Sequence, residues 1–285
     1  MTLEYWYLLP ISILVATTAM ASGVGGATFF SPIFILLLRL PPDVAIGTAL
    51  ITEVFGFASG VYAYSHKKLI DYRLGIMLLT ATVPLALLGT WLSGIVPSVI
   101  LQIILGMGLL AVSMSFLRAP DHKEVEAADR DIGEEHRENP AGKTLVTAQG
   151  EEIKYTVCNR TEGSILAGIG GLFVGLISTG LGEMNGYFLL QRCRVPSKVS
   201  VATSVFVVAV TALSASGGHL VRFMGLGDDT LTTVFSIVIF TVPGVIIGAQ
   251  FGSYVGEKLP QRVMERTIGI LFILVALATL GEAVF

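Results

Sequence analysis

The chain has 285 residues, of which 53% are hydrophobic and only 14% charged, and its mean hydropathy is +0.76. Soluble domains carry about a quarter charged residues, so an ordinary globular protein is excluded, and a pI near 5.8 with no basic face excludes a nucleic-acid binder. Cys158 and Cys193 are too few for a disulfide framework or a thiol metal cluster, which leaves an integral membrane protein.

In chain order, the opening Met1-Thr-Leu-Glu-Tyr-Trp-Tyr7 lacks the basic stretch of a secretory leader and reads as an interfacial aromatic anchor. The charge-free stretch 5–38 has 34 residues, about 51 Å as one straight helix and too long for a hydrocarbon core of about 30 Å. Segment 44–65 is a span, and 74–117 must be two helices split by the turn at Gly94-Ile-Val-Pro97-Ser98. Segment 119–163 is plainly polar, with eleven acidic and six basic residues. Its β-branched stretches 143–148 and 152–157 flank an Ala-Gln-Gly-Glu turn and predict a small β-hairpin. Further apolar segments follow at 164–191, 199–217, 231–256 and 267–281. Continuous apolar runs of these lengths predict an all-α bundle rather than a barrel of alternating strands.

The halves flanking the polar segment repeat each other. Arg39-Leu-Pro41-Pro-Asp-Val44-Ala-Ile-Gly-Thr48 aligns with Arg194-Val-Pro196-Ser-Lys-Val199-Ser-Val-Ala-Thr203, and Gly25 then meets Gly180. The expected units are a first repeat at 1–118, a connecting insert at 119–163 and a second repeat at 164–285. Basic residues favour the cytoplasmic side. If 164–191 enters and returns to its own side, 16 of the 18 Lys and Arg share one face, leaving Arg39 and Arg222 opposite. By the repeat, 5–38 is a broken hairpin too. Each half is then one hairpin plus three crossings, and the odd number inverts the second half. Both termini are expected outside and the insert in the cytoplasm.

Inverted repeats with interrupted helices hold substrates near the midplane, where half-helix ends meet the ligand. The interruptions are Ser22-Gly23-Val-Gly25-Gly26-Ala-Thr28 and Ser178-Thr-Gly180-Leu-Gly182-Glu183-Met-Asn185-Gly186. The predicted spans contain no Lys or Arg, so an anion there would be held by helix ends, hydroxyls and amides. Thr48, Thr203 and Ser204 supply hydroxyls and Asn185 an amide, with Thr52 one turn beyond Thr48. Glu53, halfway along its helix, and Glu183, in the second break, are candidates for proton coupling, since intramembrane carboxylates mark ion or proton paths. His66 reads as solvated in a basic loop, and His219 lies at a helix end. Gly244, Gly248, Gly252 and Gly256 form a packing ridge, which leaves a homodimer open. No cofactor and no metal site is expected.

The Gly-x-Gly-Gly break before an apolar helix, the Pro-x-x-Val-Ala-x-Gly-Thr turn and its return after a polar loop resemble the sulfite exporter TauE/SafE family. The likeness covers nearly the whole chain apart from 119–163. It implies secondary transport of sulfite or organosulfonates, usually outward, across a bacterial or archaeal cytoplasmic membrane; the two intramembrane carboxylates add protons as a candidate coupling ion. Carried over position by position, Gly25, Gly26, Gly180, Gly182, Thr48, Thr203 and Ser204 become the candidate site. Glu183 and Asn185 depart from the pattern, standing where the family usually has further glycine and apolar residues. A passive anion channel is the nearest alternative. An intramembrane hydrolase or a scaffold belongs to another class, and neither a Gly-x-Ser-Gly element nor a His-Glu-x-x-His motif is present.

Overall fold

The computed structural model of the chain describes residues 3–22, 27–118, 124–132 apart from 126 and 128, 143–156, 158–256 and 261–284. Among these, seven helices are long and apolar enough to cross a membrane, and the protein is an all-α integral membrane protein carrying one two-stranded sheet. The stretch 5–38 is broken as expected into α1 (Leu8–Ser22) and α2 (Ala27–Leu36). At about 1.5 Å per residue neither reaches across a core of about 30 Å. The glycines of the first break, Gly25 and Gly26 included, lie outside the described residues.

Helices α3 (Pro42–His66), α4 (Tyr72–Ser93) and α5 (Ser98–Leu117) follow. Pro41 and Pro97 occupy the N-cap positions of α3 and α5, and the Asp71 carboxylate caps α4 by accepting from the Leu74 amide at 3.1 Å. The polar insert carries β1 (Lys143–Val146) and β2 (Glu152–Tyr155), paired antiparallel with Lys143 opposite Tyr155. Then come α6 (Arg160–Ile177), capped by Asn159, and a short α7 (Leu181–Gly186) that continues as a π-helical stretch, Tyr187–Arg192. The last three helices are α8 (Ser197–Leu226), α9 (Asp228–Gly256) and α10 (Gln261–Val284).

Two expectations need correction. Helix α8 runs 30 residues and ends at Leu226, well past the predicted end at Gly217, because Gly218, His219 and Phe223 hold one face of it against α3, α4 and α6. Arg222 therefore sits inside a candidate span, where it pairs with Asp43 of α3 and donates to Ser93 Oγ at 3.4 Å. His219 is fully buried rather than at a helix end. The cysteines also have a role their number did not suggest: Cys158 and Cys193 are disulfide-bonded, with Cα atoms 5.2 Å apart. Together with the Arg192–Glu162 ion pair at 3.0 Å, this bridge joins the start of α6 to the end of the π-helical stretch, so 160–192 is a hairpin that returns to where it began.

The two turns that align in sequence have the same local geometry. Arg39 and Arg194 both take φ 51°; the Leu40 amide donates to Phe34 O and the Val195 amide to Leu189 O, at 3.2 and 2.8 Å. Helices α3 and α8, which start after these turns, pack antiparallel. The start of α3 meets the end of α8 through Asp43–Arg222, while past the end of α3 the Asp71 amide donates to Thr203 near the start of α8 at 3.0 Å. The long arm of each hairpin packs on the other half's second crossing: α1 against α9, where Gly248 meets Ile13 and Ala16, and α6 against α4, where Gly171 meets Thr82. The α9 ridge is thus a packing surface at Gly244 and Gly248, where small residues let backbones approach.

Candidate functional site

A cavity of about 250 Å³ lies where the second hairpin tip meets α2, α3 and α8. The tip exists because α6 ends with Ser178 in the left-handed conformation (φ 60°) and Gly180 follows at φ 107°. That geometry reverses the chain and suits glycine at the second position. The tip is tied to α2 by two hydroxyl pairs, Thr28–Thr179 at 3.1 Å and Ser31–Ser178 at 2.5 Å. Thr28 stands at the beginning of α2, and Leu181, Gly182 and Glu183 open α7. Both second-arm half-helices therefore start at the cavity, and the first amides of a helix have no partner within it.

Its polar lining is Thr28, Glu53, Ser178, Thr179, Glu183, Ser200 and Ser204, and among the described residues no Lys or Arg contributes. Leu50, Phe57, Phe116, Val201 and Val205 supply apolar wall. Glu53, at the middle of α3, is 4% exposed and lines the cavity. Glu183 is partly buried at the tip. The cavity extends toward the insert face, since Ser200 and Val201 lie within two turns of the start of α8 and Leu190 lies near the hairpin's base.

The predicted site residues divide accordingly. Gly180, Gly182, Ser204, Glu53 and Glu183 line the cavity; Thr48, Thr203 and Asn185 do not. The Thr48 hydroxyl is turned back on its own helix, donating to Val44 O at 2.7 Å, and Thr203 accepts from the Asp71 amide. Asn185 is buried with its Nδ2 unpartnered among the described residues. Thr52 pairs with Thr241 at 2.9 Å across α3 and α9. His66 is exposed and bonded to Tyr62 O at 3.0 Å. Sequence reasoning passed over Thr28, Ser178, Thr179 and Ser200 as site residues. The first three are the hydroxyl residues written into the two glycine breaks, and that position was their available signal.

The sequence profile of the family described as sulfite exporter TauE/SafE matches residues 8–279. Among curated relatives from Bacillus subtilis (strain 168), the probable membrane transporter protein YunE is 23% identical over 99% of this chain and 100% of its own. The probable membrane transporter proteins YdhB and YjnA are 22% and 25% identical, over 86% and 87% of this chain and 88% and 90% of theirs. No solved structure matches the chain. These likenesses are to membrane transporters rather than enzymes, and they run through both halves and the insert between them. With seven apolar helices of membrane-spanning length, the chain is a multi-pass membrane transporter, and it belongs to the sulfite exporter TauE/SafE family.

Proposed function

We propose that the protein exports sulfite or a related sulfur oxyanion or organosulfonate from the cytoplasm by alternating access of two inverted halves, linked to proton movement. The observation that carries this reading is the cavity at the hairpin tip, where five hydroxyl side chains and the start of two half-helices converge without any basic side chain among the described residues. A helix start and hydroxyls bind an oxyanion through N–H and O–H donors without a fixed cation. That keeps binding weak enough for release. Antiparallel packing of α3 and α8, and the matched turns before them, support the inversion.

Glu53 and Glu183 shape the coupling. Two like unit charges about 4 Å apart repel by about 4 kcal/mol at an effective dielectric near 20. An oxyanion therefore enters this cavity most favourably when the nearer carboxyl is protonated, and its departure leaves that proton free to go. Thr48, Thr203 and Asn185 support the site from behind rather than lining it, and Gly25 and Gly26 are assigned to the first tip by the repeat alone. The insert face is assigned to the cytoplasm on the 16 basic residues of the hairpin topology. An inside-negative potential of 100 mV favours exit of each negative charge by about 2.3 kcal/mol.

The test is counterflow in proteoliposomes loaded with sulfite, using labelled sulfite outside and sulfate, thiosulfate and short sulfonates as competitors. A carrier accumulates label transiently against unlabelled substrate. Conductance without counterflow would identify a channel instead. In the same assay Glu183→Gln is expected to flatten the pH dependence of exchange; an unchanged profile would remove Glu183 from the coupling.

A further inference from the structure

The cavity reaches toward the insert face and stops short of the other. On α3 its last lining residue in that direction is Leu50, two turns or about 10 Å from Asp43 at the helix start. On α8 it is Ala212, about 15 Å before Arg222. The space between is filled by side chains that fasten the last third of α8 to three other helices. Phe223 and His219 are both fully buried and lie against Gly47, so closely that a Cβ there would come within 2.5 Å of Phe223 Cζ and 2.8 Å of His219 Cγ. His219 Nε2 donates to the Gly175 carbonyl of α6 at 3.0 Å, while its Nδ1 has no partner among the described residues. Above this layer Arg222 pairs with Asp43 of α3 and reaches Ser93 of α4. Its guanidinium lies over Gly94, where a Cβ would be 2.3 Å from Nε. The Arg222 and Asp43 side chains keep 22% and 17% of their exposure, which marks them as the last layer before the surface.

We propose that Asp43, Gly47, His219, Arg222 and Phe223 are the gate that closes the cavity on the face opposite the insert. The inference rests on the carrier reading above and adds the parts that must separate in each cycle. Gly47 and Gly94 make the seal tight by giving the aromatic ring and the guanidinium room. The ion pair and the single imidazole bond make it breakable, because each is replaceable by water once that face opens.

The decisive experiment locks the seal. With Cys158 and Cys193 replaced by serine, Asp43→Cys and Arg222→Cys are bridged by a short, reducible bifunctional thiol reagent in proteoliposomes. Labelled sulfite exchange is expected to fall about tenfold or more and to return on reduction, since a closed state held covalently no longer interconverts. Exchange that continues through the bridge overturns the gate. A second arm needs no transport. In an Ala212→Cys background, Arg222→Gln should raise the rate of labelling by a membrane-impermeant thiol reagent applied from the face opposite the insert, by about tenfold. Labelling at the rate seen with Arg222 intact overturns the proposal. Absence of sulfite exchange in the unmodified protein would count against the substrate, and the labelling arm would still decide the gate.

Discussion

Thr203 and Ser204 are neighbours on α8 whose hydroxyls do different things. Ser204 lines the cavity, whereas Thr203 is fully buried and accepts the Asp71 amide. Ser204→Ala is expected to raise the sulfite concentration needed for half-maximal exchange about tenfold, because a hydrogen bond to a charged group contributes about 1.5–3 kcal/mol. Thr203→Val should leave that concentration unchanged and lower thermal stability instead, by about 1–3 kcal/mol for the orphaned amide. Substrate titration and a melting curve on both variants separate the roles, and the reverse pattern would place Thr203 at the ligand. The sequence named both residues, since Thr203 closes the repeated turn and Ser204 follows it, but could not say which one faces inward. One residue along a helix turns a side chain by about 100°, and the aligned pair Thr48/Thr203 turned out to be the pair that points away.

At the scale of helices, the contact between α4 and α6 is built on absent side chains. A Cβ at Gly171 would lie 2.5 Å from Thr82 O, and one at Gly175 would lie 2.0 Å from Ala86 O. Both obstacles are backbone atoms that no rotamer change can move. Gly175→Ala is therefore expected to force the helices apart and lower the melting temperature sharply, a cost of about 1–3 kcal/mol or more. Gly217→Ala, with nothing within 4 Å of its Cβ, should be neutral or stabilising by up to about 1 kcal/mol. Equal melting temperatures for the two would refute the close contact. Composition made the glycine ridge legible but not its partner. The likeness of the two halves shows in sequence at the turns, where Pro41 and Pro196 are 155 residues apart. Deeper in the bundle the Thr52–Thr241 and Thr82–Thr211 bonds, both at 2.9 Å, join two pairs of positions each 159 apart, Thr52 with Thr211 and Thr82 with Thr241, the spacing that also separates Pro84 from Pro243. The spacing grows by four residues, about one helical turn, between the turns and these deeper positions, so a comparison in a single register misses them.

Across the whole molecule, the insert is fastened to the membrane helices at a buried carboxylate. Asp71 is 2% exposed, caps α4, pairs with Lys143 of β1 and accepts the Tyr155 hydroxyl of β2 at 2.7 Å. The Ala148 amide donates to Lys67 O at 3.0 Å, and Lys198 meets Glu151 at 3.4 Å. The β-hairpin was legible from its alternating β-branched residues; its docking was not, since nothing in sequence spacing links Asp71 to residues 72 and 84 positions later. Burial works to raise the Asp71 carboxyl, but the Lys143 ammonium, the Tyr155 hydroxyl and the Leu74 amide outweigh it and hold it below its ordinary 3.8. Burial and the neighbouring carboxylate push the Tyr155 hydroxyl above its ordinary 10.0. The signs bracket the latch. A lowered acid stabilises the folded form fully above 3.8 and loses that contribution as pH falls through the lowered value. A raised phenol stabilises below 10.0 and loses its contribution only as pH rises through the raised value. Protease sensitivity of the insert in the purified protein should therefore stay flat between those limits and rise only outside them. Tyr155→Phe, which strips one hydrogen bond from a charged acceptor, should weaken docking by about 1.5–3 kcal/mol and raise cleavage at neutral pH. A hairpin cleaved equally fast with and without that hydroxyl would mean that the insert is held elsewhere, and the Asp71 junction would then only cap α4.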